Sequence, residues 1–112
     1  MSAITTHVLD TANGRPAAGV PVTLERLREG DWAEIARGET NEDGRIADWL
    51  APGPQEAGTY RITFNTGAWF AARGETGFYP SVPVVFELTA PDEHHHVPLL
   101  LNPFGYSTYR GS

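Results

Sequence analysis

Alternation of apolar and polar residues with a period of two runs through most of this chain and predicts a series of short strands. The first is Ala3 to Asp10, rich in Thr, Ile and Val, with Ile4, Thr6 and Val8 on one face and Thr5, His7 and Leu9 on the other. Thr11 to Pro16 reads as a turn. Val20 to Arg28 resumes the alternation through Val20, Val22 and Leu24, and Trp32 to Thr40 continues it with Trp32, Glu34 and Ala36 on a common face. A turn over Asn41-Glu42-Asp43-Gly44 leads into a short Arg45 to Trp49 segment, and Ala51-Pro52-Gly53-Pro54 bars regular structure. Gly58 to Asn65 sets Tyr60, Ile62 and Phe64 on one side. Gly67 to Gly74 is locally helix-compatible through Ala68, Phe70, Ala71, Ala72 and Arg73. After a return over Gly74 to Pro80 come strands at Val82 to Leu88, His94 to Leu101 and Tyr106 to Ser112. Seven or eight short strands with one short helix predict an all-β, antiparallel sandwich, a single domain over residues 1–112.

Composition narrows the function classes. The 112 residues carry a formal net charge of −6, which disfavours nucleic acid or an anionic membrane as partner. No apolar run approaches the roughly 20 residues of a spanning helix. Met1-Ser2-Ala3-Ile4 lacks the basic and apolar regions of a signal peptide. The chain has no cysteine, so neither a thiol nucleophile nor a thiolate ligand is available, and a reducing compartment is favoured. Together these point to the cytoplasm.

The chemistry gathers on histidine and arginine. In His94 to Leu101 the better core face is His95, Val97, Leu99 and Leu101, so His96 points away from the core beside Pro98. Three consecutive histidines invite a metal, but only His94 and His96 can share a side. A zinc site needs three or four protein ligands. No metal is therefore expected, and His94 and His95 read as solvated histidines at a strand start. His7, Arg45 and Arg110, each taken alone, are ordinary strand or surface residues. Ser107 and Ser112 lie in no nucleophile-elbow context.

In combination the motifs say more. Thr6-His7-Val8-Leu9-Asp10, Thr40-Asn41-Glu42-Asp43-Gly44-Arg45 and Tyr106-Ser107-Thr108-Tyr109-Arg110-Gly111-Ser112 resemble the transthyretin-related family, in particular its enzyme branch, the 5-hydroxyisourate hydrolases. Phe78-Tyr79-Pro80 and His96-Val97-Pro98-Leu99-Leu100-Leu101 extend the likeness over essentially the whole chain. The Tyr-Arg-Gly-Ser tail separates these enzymes from hormone-binding members. The resemblance implies a sandwich of two four-stranded sheets with one short helix, assembled as a homotetramer, a dimer of dimers, with active sites in a channel at the dimer-dimer interface. It implies catalytic roles for His7, Arg45, His96 and Ser112, in a pocket partly walled by Tyr109, Arg110, Gly111 and Ser112. Asn102 stands where Ser is common in the family.

The activity so implied is hydrolysis of 5-hydroxyisourate to 2-oxo-4-hydroxy-4-carboxy-5-ureidoimidazoline in urate breakdown, without cofactor or metal. Either His7 or His96 would take the proton of the attacking water, the other orienting water or protonating the leaving nitrogen. Arg45 would hold the substrate and stabilise the oxyanion, and Arg45 with Arg110 would form a cationic patch for an anionic planar purine derivative. The alternative is a carrier of a small aromatic ligand such as thyroid hormone.

Overall fold

Each stretch of alternation becomes a strand because one of its faces has a core to meet. The computed structural model describes residues 2–111. Its strands are β1 (Ile4–Asp10), β2 (Arg15–Pro16), β3 (Pro21–Arg28), β4 (Asp31–Glu39), β5 (Arg45–Ile46), β6 (Gly58–Phe64), β7 (Val82–Leu88), β8 (His95–Asn102) and β9 (Gly105–Thr108), with one helix, α1 (Thr66–Ala72). One sheet runs β2-β1-β8-β9, with β5 also paired to β1; the other runs β4-β3-β6-β7. The two sheets bury Ile4, Val8, Val97, Leu99 and Leu101 from the first against Val22, Leu24, Tyr60, Ile62 and Phe64 from the second. The helix begins where the Asn65 side chain accepts the Ala68 N–H at 3.2 Å, and it buries Trp69 and Phe70. No helix among the described residues is long and apolar enough to cross a membrane.

The sandwich is not purely antiparallel. β1 pairs in parallel with β8, Thr5 opposite His96 and His7 opposite Pro98. These strands are far apart in sequence, so no hairpin forces them to run in opposite directions. In β4, a register shift leaves Leu24 facing Ala36 but Glu25 facing Glu34. Ile35 is the extra residue of this bulge, and it flips the pleat. Trp32 and Glu34 therefore share a face with Leu27 and Glu25, whereas Ala36 lies on the opposite, core-packed face. The final strand ends at Thr108; beyond it the chain leaves the ladder and rejoins β8 through a bridge between Gly111 and His96.

His95 is a correction. It is 3% exposed, not solvated, because it occupies the first core-facing position of β8. Its Nδ1 lies 3.0 Å from the Glu93 carbonyl, and its buried Nε2 has no partner among the described residues.

Candidate active site

The turn before Arg45 determines where that residue stands. The Asn41 side chain accepts the backbone N–H groups of Asp43 and Arg45, both at 2.9 Å, and the Gly44 N–H closes the loop on the Asn41 carbonyl at 2.8 Å. Gly44 has φ +76°, and a Cβ there would collide with the Val8 carbonyl oxygen. That close approach lets the Gly44 carbonyl accept the Val8 N–H at 2.7 Å, which docks the loop on β1. Arg45 is thereby set directly opposite His7.

β1 therefore carries the site between two neighbours. On one side Arg45 faces His7; on the other Thr5 faces His96. Thr5 and His7 share the face turned away from the core. The Thr5 hydroxyl lies 2.7 Å from His96 Nδ1 and 2.7 Å from His94 Nε2. His94 and His96 have ring centroids 6.0 Å apart. A depression of about 340 Å³ opens here, lined by Thr5, Arg45, Ile46, Ala47, His94 and His96.

The two imidazoles are electrostatically tuned. Burial lowers the His7 pKa, and the Arg45 charge lowers it further; a hydrogen bond to the Asp43 backbone carbonyl and the Asp43 charge oppose this. For His96 burial is again the largest cause of a lowered pKa, followed by His94, Arg45 and His7. Both rings are thus biased toward the neutral state around neutral pH. Because His7 must donate an N–H to the Asp43 carbonyl, its second nitrogen keeps a lone pair.

The tail contributes unequally. The Gly111 N–H donates to the His96 carbonyl at 2.8 Å, and a Cβ on Gly111 would lie 2.6 Å from His96 Cδ2. Tyr109 and Arg110 instead line a neighbouring groove of about 250 Å³ with Val84, Phe86, His95 and His96, so His96 forms a wall common to both spaces. Arg110 is paired with Glu93 at 3.0 Å, which offsets the charge it brings to a cationic patch. Ser112 lies outside the described residues. Two residues that line the depression were not singled out from the sequence: Thr5, whose signal was its place two residues before His7 on the same face, and His94, which is exposed as expected but also borders the depression.

This arrangement can be compared with known proteins. The family model described as HIUase/Transthyretin family matches residues 4–111. The chain belongs to the HIUase/transthyretin family. It is 47% identical over 113 residues to the 5-hydroxyisourate hydrolase of Mus musculus, covering 99% of this chain and 96% of that protein. The solved Klebsiella pneumoniae 5-hydroxyisourate hydrolase is 43% identical, with a TM-score of 0.84, over 97% of this chain and 92% of that one. Sea bream transthyretin, solved in complex with thyroxine, is 32% identical but has a TM-score of 0.90, over 98% and 95% of the two chains. Backbone likeness alone therefore does not separate the hydrolase from the thyroxine-bound protein.

Proposed function

We propose that this protein hydrolyses 5-hydroxyisourate to 2-oxo-4-hydroxy-4-carboxy-5-ureidoimidazoline in urate breakdown. The observation that carries the reading is the convergence of His7, Arg45 and His96 across three adjacent strands, in a chain close in sequence to proteins named for that reaction. His7, with its N–H given to the Asp43 carbonyl, takes the proton of a water molecule as that water attacks the ring carbonyl. Arg45 holds the substrate and stabilises the negative charge developing on the carbonyl oxygen. His96, whose Nδ1 is engaged by Thr5, presents Nε2 to the nitrogen released when the ring C–N bond breaks.

The tail belongs to the proposal as the support behind His96, and Ser112 as a further contact to substrate or water. A carrier of an apolar aromatic ligand fits the depression less well, since the His94 and His96 imidazoles and the Arg45 guanidinium line it. The proposed assembly is a dimer of dimers. Two open sheet edges, β7 and β9, support it, with Val85 58% and Tyr109 56% exposed beside them. The cytoplasm is the proposed compartment, a choice the cysteine-free sequence supports.

The deciding experiment follows the ultraviolet absorbance of enzymatically generated 5-hydroxyisourate. Added protein should accelerate its decay in proportion to concentration; decay at the spontaneous rate removes the function.

A further inference from the structure

His96 meets the leaving nitrogen as a proton donor, yet burial and the neighbouring charges bias it toward the neutral form. A neutral imidazole is a poor acid unless a proton enters one nitrogen while another departs from the second. Nδ1 of His96 already has a partner able to supply it. The Thr5 hydroxyl stands 2.7 Å from that nitrogen and 2.7 Å from His94 Nε2. A hydroxyl has one proton to give. With these two rings as its partners among the described residues, it donates to one and accepts an N–H from the other. Thr5 is 4% exposed and held by strand pairing opposite His96, whereas His94 is exposed to solvent. The geometry is that of a wire with one end in the site and the other in water.

We propose that His94, Thr5 and His96 form a proton relay that supplies the leaving nitrogen. The relay rests on the assignment of His96 as donor in the hydrolysis above. The His94 imidazolium passes its Nε2 proton to Thr5 Oγ1 as the Thr5 proton moves to His96 Nδ1. The His96 Nε2 proton goes at the same time to the released nitrogen, which keeps the electron pair of the broken C–N bond. His96 Nε2 is then reprotonated from solvent, and the two short transfers run backwards to restore His94. The proton that His7 took from water returns to solvent, which balances the cycle. Thr5 and His94 act through His96 and are positioning residues.

Four variants test this in the intact protein: Thr5→Val, Thr5→Ser, His94→Gln and the double variant Thr5→Val/His94→Gln. Thr5→Val and His94→Gln should each lower kcat by roughly tenfold or more, a part of what general acid catalysis contributes, with KM little changed. The double variant should lose no more than the worse single one, because both cut one chain. Thr5→Ser should restore most of the rate. The amide introduced by His94→Gln can still bond to Thr5 but cannot pass a proton, so wild-type kcat in that variant overturns the relay; additive losses do the same. Nitrogen NMR of the neutral His96 ring, read without substrate, should find the proton on Nε2 and Nδ1 accepting; a proton on Nδ1 overturns the relay in an enzyme whose hydrolysis still stands. A wild-type protein that leaves the substrate's decay unchanged overturns relay and function together.

Discussion

Substituting Gly111 by Ala isolates the role of the tail. The added methyl would sit 2.6 Å from His96 Cδ2 and 3.3 Å from both His96 Cγ and Pro98 Cγ. Ordinary carbon contacts lie at about 3.5–4.0 Å, so ring and tail must separate by about 1 Å. The accommodation falls on the His96 ring, on Pro98 or on the Gly111–His96 bridge. Losing that hydrogen bond costs about 1 kcal/mol, which in a domain of this size lowers Tm by about 4 °C. The catalytic loss should be much larger, because misplacing a reacting group by about 1 Å costs on the order of a hundredfold. Steady-state hydrolysis of 5-hydroxyisourate, measured beside thermal unfolding by circular dichroism, reads both effects. A Gly111→Ala protein with wild-type kcat refutes the reasoning that the tail sets the His96 ring.

Other outcomes follow from the same geometry. Arg45→Gln should lower kcat/KM by about a hundredfold or more. It should also move the acidic limb of the pH–rate profile upward, because the Arg45 charge depresses both imidazole pKa values; an unmoved limb would contradict that coupling. Both rings titrate below 6.5 in the folded protein, so as pH falls the unfolded chain takes up protons first. Their contribution to stability is therefore complete above about 6.5 and lost below it, toward the folded values, which urea titrations across that range measure. Gly44→Ala places a side chain at φ +76° against the Val8 carbonyl. It should cost about 1–3 kcal/mol in backbone strain, more with the collision, and an undiminished urea midpoint would exclude this. His95→Leu loses one bond to the Glu93 carbonyl, about 1 kcal/mol, but removes an unsatisfied buried nitrogen worth about 1–3 kcal/mol. Urea unfolding should show equal or higher stability, and a clear loss would mean that Nε2 is satisfied in solution.

Period-two alternation located β1 and β8 because one face of each is fully buried in the core while the other, with His7 and Leu9 on β1 and His96 and Leu100 on β8, is only partly covered. It failed in β4, where the bulge at Ile35 changes the face without leaving any mark in residue type. The parallel pairing of β1 with β8 was equally invisible, since alternation carries no information about direction. His7, Arg45 and His96 were named from motif resemblance, and only strand register shows why they can meet. His95 was misjudged because a histidine is read as polar, whereas its strand position faces inward. Thr5 was assigned its face correctly but had no reason to be singled out. A hydroxyl between two rings is a property of neighbouring strands, which one strand's sequence does not contain.

The pairing of β1 with β8 also bears on synthesis. The Thr5 hydroxyl and its His96 partner are 91 positions apart. At about 5–20 residues per second, a translating ribosome needs roughly 5–18 s to supply the second after the first. Throughout that interval the opening strand holds unpaired amides toward a neighbour that does not yet exist, a template for intermolecular pairing. The threonine-rich, half-polar character of that strand makes the wait less hazardous than a fully greasy one would be, and competence for chemistry arrives only with the closing segment.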